Sequence, residues 1–107
     1  MKNERTPVIF RKWRATGEVT AIFPTRPGDR WGHDCLYIHP NGDTLRGEYA
    51  DLLRRTRPTT PEEYTPLLTD LKGRGYSELT IVNRATKAMH ELRRERAYKA
   101  RTALVFP

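Results

Sequence analysis

Three histidines and a single cysteine are the residues of this chain suited to acid–base, nucleophilic or metal chemistry. His33, Cys35, Tyr37 and His39 fall on alternate positions of a β-prone run, so they share one side of a strand, with Leu36 and Ile38 on the other. On a straight strand rising about 3.3 Å per residue, His33 and His39 stand roughly 20 Å apart and cannot ligate one ion. A Cys–His pair would need a partner from elsewhere, such as His90, and no carboxylate cluster suits a metal. The residues therefore predict neither a metal nor another cofactor, and a protein that is not an enzyme. A small histidine-dependent nuclease, with His33, His39 or His90 working beside arginines that stabilise a pentavalent phosphate, is the third of three readings.

Recognition chemistry is better represented. The segment Pro24–His33 holds two prolines and two glycines in ten residues, which predicts a loop. It carries Arg26, Arg30 and Trp31: cations that hold phosphate and an indole on which a base stacks. Arg54, Arg55 and Arg57 form a second cluster, fanned along a stiff approach because Arg57 precedes Pro58. Arg93, Arg94 and Arg96 form a third, within a segment from Arg84 to Arg101 that has seven bases against two acids. These nine residues are the candidate nucleic-acid or partner-binding set. Each cluster also has a structural reading: Trp31 as a lid on the core, and the arginines paired with Asp51, Glu62, Glu63, Glu91 or Glu95.

The elements that must position these groups read as α+β. Val8–Trp13 and Glu18–Phe23 form a hairpin about Gly17, and Val19, Ala21 and Phe23 mark the face better suited to burial. Asp34–His39 and Thr44–Tyr49 form another about Asn41-Gly42, the strongest short hairpin signal. Tyr64, Leu67, Leu68 and Leu71 recur at i, i+3, i+4 and i+7, so a helix there covers the sheet with one side. Thr60 is its expected cap, Pro61 its first residue and Glu63 the partner in a capping box, while Pro66 predicts a kink or restart. Leu79–Asn83 reads as an interior strand, and Asn83 as the cap of a second, basic helix from Arg84 to about Ala100, with Ala85, Ala88, Met89 and Leu92 packed. Ala103–Phe106 should dock as an edge strand or against a partner. The expectation is one domain spanning 1–107, with an antiparallel or mixed sheet of about five strands, one packed helix and a basic C-terminal helix.

The bulk numbers fit a cytoplasmic, soluble protein: 107 residues, one cysteine, and no apolar run approaching a membrane span. The net charge is +7, and 15 of the 20 basic residues are arginine, whose planar fork matches phosphate and stacks on rings. That points to a polyanionic partner.

Ile9-Phe10-Arg11-Lys12, Gly17-Glu18-Val19 with Ala21, Phe23-Pro24, Cys35 in a strand, and Thr56-Arg57-Pro58 with Thr60-Pro61-Glu62-Glu63-Tyr64 resemble a group of small uncharacterised proteins encoded on bacterial plasmids, phages and other mobile elements. The resemblance spans residues 8 to 85 and implies an accessory protein of such an element. The expected function is a non-enzymatic basic module that contacts nucleic acid or a nucleoprotein. The alternative is a protein-directed inhibitor of a host defence nuclease complex, anti-CRISPR-like in action.

Overall fold

The computed structural model describes residues 5–105. Its elements are β1 (Thr6–Trp13), β2 (Val19–Pro27), β3 (Asp34–Ile38), β4 (Thr44–Glu48), α1 (Tyr49–Arg55), β5 (Thr56–Pro58), α2 (Pro61–Gly73), β6 (Leu79–Ile81) and α3 (Lys87–Val105). The architecture is α+β, with a six-stranded sheet in which five strands run in the order β4-β3-β2-β1-β5 and β6 pairs with β1 off that path. All ladders on that path are antiparallel. β6 joins β1 in parallel, pairing Thr6–Val8, while β5 takes the Arg11–Trp13 end of the same edge. The carbonyl of Phe10, in the gap between them, accepts the Thr59 hydroxyl at 2.9 Å.

Both faces of the sheet are covered. Val8, Phe10, Ala21, Phe23 and Ile38 pack against Leu67 and Leu71 of α2. Ile9, Trp13, Ile22, Cys35 and Tyr37 pack against Leu52 of α1, with Tyr49, Val82 and Ala85 around them. β2 is accordingly buried on both sides, including Thr20 and Ile22, where the alternation of Glu18, Thr20 and Ile22 predicts a wetter face. Thr20 is tolerated because its hydroxyl donates to the Ile38 carbonyl at 3.0 Å.

Local sequence explains most element ends. The Gly17 turn closes with Gly17 N–H on the Trp13 carbonyl at 2.8 Å. The second hairpin turns at Gly42, whose φ of +93° is the left-handed conformation glycine adopts without a Cβ clash. The Thr60–Glu63 capping box is complete at the start of α2. α2 does not restart at Pro66: the helix runs unbroken from Pro61 to Gly73 with the proline inside it. Pro66 is exposed; its missing N–H removes the bond to the Glu62 carbonyl, which its ring also crowds.

Five further expectations are corrected. β2 continues through Pro24 to Pro27 across a register shift, so the loop is confined to 28–33. Tyr49, read as the end of the fourth strand, and residues 50–55, read as part of the approach to the helix, form α1. Leu79–Ile81 is a three-residue edge strand with Ile81 exposed, not an interior one. The basic helix starts three residues late: the Ala85 N–H donates to the Tyr49 hydroxyl at 2.8 Å, holding this stretch against α1, and Thr86 caps α3 by accepting the Met89 N–H. α3 then continues through Val105, so residues 103–105 are helical rather than an edge strand. Phe106 lies outside the described residues. No helix among them is long and apolar enough to cross a membrane.

Candidate functional site

The 28–33 loop is tied shut at its base. Gly28 N–H donates to the Asp34 carbonyl at 2.9 Å, and the Asp29 carboxylate accepts the Asp34 N–H at 3.0 Å. Partial desolvation pushes the Asp29 carboxyl up. The Asp34, His33 and Gly32 N–H groups and the nearby His33 charge pull harder, and it sits below the ordinary aspartate value.

Gly32 then lays the loop directly on α3. Its φ is +76°, and a Cβ there would stand 2.9 Å from the Arg94 Cα and 3.2 Å from the Ala97 Cβ, so only glycine permits this approach. The contact is locked by Arg93. That side chain is 4% exposed; its Nε donates to the Gly32 carbonyl at 2.9 Å and one terminal nitrogen to the Pro24 carbonyl at 2.8 Å. The same nitrogen meets His90 Nδ1 at 2.8 Å, which assigns the His90 proton to Nε2. Burial lowers the Arg93 pKa, yet an arginine remains charged in this setting. Arg96 follows the same direction, reaching the Thr25 carbonyl and hydroxyl at 3.3 Å. Arg93 is thus a clamp between helix and sheet, unable to reach a phosphate outside, and Arg96 is partly committed to the same task.

What the docking leaves outside is a cationic and aromatic patch. Trp31 is 51% exposed and Tyr98 57% exposed. The Arg101 guanidinium lies over both rings, 4.7 Å from the Trp31 centroid and 5.5 Å from that of Tyr98. Arg30 sits 5.2 Å from the Trp31 centroid, and the Arg30 carbonyl accepts a hydrogen bond from Arg101. Beside them is a groove of about 510 Å³ whose lining includes Arg30, Arg46, Arg101, Gly28 and Ala97. Arg94, exposed on the same helix, borders a second groove of about 450 Å³ that also holds His33, Glu48, Tyr49 and His90.

The structure divides the predicted set accordingly. Arg30 and Trp31 come together at this patch, while Arg94 lies on the second groove with His33 and His90. Arg26 turns away, stacking over Phe23 and Tyr76 at 5.5 Å from each centroid. Arg54, Arg55 and Arg57 belong to a second basic cluster around α1 and β5: Arg54 and Arg55 pair with Asp51 at 2.9 and 3.5 Å, and Arg55 lies over Trp13. Arg46, Tyr98 and Arg101 were not singled out from sequence. Tyr98 and Arg101 follow Arg94 at i+4 and i+7, a spacing that places all three on one helical side and was available as a signal. Arg46 offered none, since only the β3–β4 register brings it to the groove.

The groups suited to covalent chemistry are quieter. Cys35 is fully buried beneath the Gly47 carbonyl, and burial pushes its thiol up to about 11, so it is protonated and shielded. His39 packs against Trp13 and Tyr37. His33 and His90, which local spacing kept apart, do line one groove. Burial, then the charges of Arg93 and Arg94, lower the His90 pKa, so it is neutral at physiological pH. Among the described residues no group of three or more His, Cys, Asp or Glu side chains is placed to hold a metal ion. In comparison with known proteins, the chain matches no family model, no curated protein and no solved structure.

Proposed function

We propose that the protein is a non-enzymatic binding module that contacts nucleic acid, free or within a nucleoprotein, through the surface made by the 28–33 loop and α3. The observation that carries this reading is the seating of Gly32 on α3, which sets Arg30 and Trp31 of the loop beside Tyr98 and Arg101 of the helix. Guanidiniums stacked on rings keep their in-plane N–H groups available for phosphate oxygens. The motif resemblance to mobile-element proteins supports an accessory role and is silent on the surface itself.

The test is a salt titration of binding to short DNA and RNA by the wild type, by Arg30→Ala/Arg94→Ala/Arg101→Ala, and by Arg54→Ala/Arg57→Ala. The triple variant should bind more weakly to every sequence, with a log–log salt slope smaller by roughly 0.7 to 0.9 for each phosphate contact removed. The Arg54/Arg57 variant should keep the wild-type slope. Unchanged affinity in the triple variant would remove this surface.

One observation favours a second reading, phosphodiester cleavage: His33, His90 and Arg94 line one groove. Cleavage of RNA or DNA that disappears in His33→Ala/His90→Ala would establish it, and absence of cleavage by the wild type would dismiss it.

A further inference from the structure

We propose that this surface takes single-stranded rather than duplex nucleic acid, with a base stacked at the Trp31 and Tyr98 aromatics and the adjoining phosphate held in the Arg30–Arg46–Arg101 groove; this rests on the nucleic-acid reading above. Three features of the patch support it.

The first is exposure. Trp31 and Tyr98 are each more than half exposed and are joined through one guanidinium, so two large ring surfaces lie together in water. Ring faces of this kind serve bases that are out of a duplex stack, whatever their sequence.

The second is the groove beside them. Three guanidiniums line it, while Gly28, Ala97 and Ala100 keep its remaining walls low. Gly28 has a steric role here: a Cβ on it would come within 2.6 Å of the Arg46 Cβ, so glycine is what lets Arg46 close over the loop. Asp29 is the acid in this lining, and its carboxylate is engaged by the Asp34 N–H at the loop base. The arrangement suits a phosphodiester, with its charge facing Arg30, Arg46 and Arg101.

The third is the posture of α3. A helix that reads duplex DNA enters the major groove with a free face. Here α3 lies on the sheet, Arg93 and Arg96 bond to β2 carbonyls, and Gly32 seats on the helix backbone at Arg94 beside Ala97. Its outward positions mix both signs, Lys87, Arg94 and Lys99 against Glu91 and Glu95, the last 3.8 Å from Lys99. The rings and the Arg30, Arg46 and Arg101 guanidiniums are gathered instead in a strip that a single strand can follow.

The test is fluorescence anisotropy with labelled oligonucleotides of one length: oligo-dT, oligo-U, an abasic strand and a duplex, against the wild type, Trp31→Ala, Trp31→Phe and Arg46→Ala, each checked for folding by circular dichroism. The wild type should prefer single strand over duplex by tenfold or more. Trp31→Ala should lose roughly ten- to a hundredfold on oligo-dT and oligo-U but not on the abasic strand, with Trp31→Phe largely restored. Arg46→Ala should lower the salt slope by about 0.7 on all single strands, abasic included. The ratio of oligo-dT to oligo-U binding then tells DNA from RNA as the source of the strand. Equal or tighter duplex binding that ignores Trp31 would overturn the single-strand proposal and leave nucleic-acid binding standing. Failure to bind any of the four at low salt would overturn both.

Discussion

Replacing Arg93 by alanine separates the roles that a basic helix can play. On an exposed helix face the change would cost within about 0.5 kcal/mol of stability and weaken phosphate contacts. In the structure the Arg93 guanidinium is 4% exposed and serves the carbonyls of Pro24 and Gly32 and the ring nitrogen of His90. Truncation leaves two carbonyls without their donor, each worth about 1–3 kcal/mol when buried and unsatisfied, so we expect a loss near 4 kcal/mol. For a chain of this size that is a large share of a total of about 5–15 kcal/mol, and the melting temperature should fall by roughly 15 °C or more. Arg93→Lys keeps the charge but offers a point donor in place of a fork, and should recover only part of the loss. Urea unfolding followed by circular dichroism measures both variants. A midpoint for Arg93→Ala within the range of an exposed substitution would refute the clamp, and a simultaneous drop in salt-dependent nucleic-acid affinity would return Arg93 to the binding surface.

Other consequences are equally direct. Gly32→Ala and Gly17→Ala both place a Cβ at positive φ, at a cost of about 1–2 kcal/mol, but Gly17 faces open space while the Gly32 Cβ would meet α3; Gly32→Ala should be the more destabilising by urea midpoint, and equal losses would argue against the close seating. Cys35, with its thiol pushed up to about 11 and fully buried, should resist iodoacetamide at pH 7.5 in the native protein and react only on unfolding; rapid native alkylation counts against the burial. His90 has a lowered native pKa, so the unfolded chain binds the extra proton first: stability should fall as the pH drops through the unfolded value near 6.5 and level off below the native one. His90→Gln should flatten that step in pH-dependent thermal unfolding, and an unchanged step would assign it to another group.

The fold was legible where a signal was local. Thr60, Pro61 and Glu63 mark the start of α2, and Tyr64, Leu67 and Leu71 give its packed side, because caps and helical periodicity act within a few residues. The hairpins at Gly17 and Gly42 follow from turn chemistry in the same way. Burial of the second face of β2 was hidden, since it depends on α1 and α3 arriving from other parts of the chain. Pro24 disguised the continuation of β2 by interrupting a pattern that the register shift then repairs. The site was half visible. Arg30, Trp31 and Arg94 stand out by type, but the bonds of the Arg93 side chain to the Gly32 and Pro24 carbonyls are what tell Arg93, inside, from Arg94, outside. Helical spacing does separate them, since Arg93 lies four residues from both Met89 and Ala97, but an arginine at such a position reads as solvated rather than as a structural bolt.

The most direct check on the central claim is the salt dependence of affinity for a short oligonucleotide, compared between the wild type and Arg30→Ala/Arg94→Ala/Arg101→Ala. The proposed function predicts wild-type binding that weakens linearly on a log–log plot as salt rises, and a shallower line for a triple variant that remains folded. Superimposable lines, or a wild type that binds no nucleic acid at low salt, would contradict the assignment of this surface.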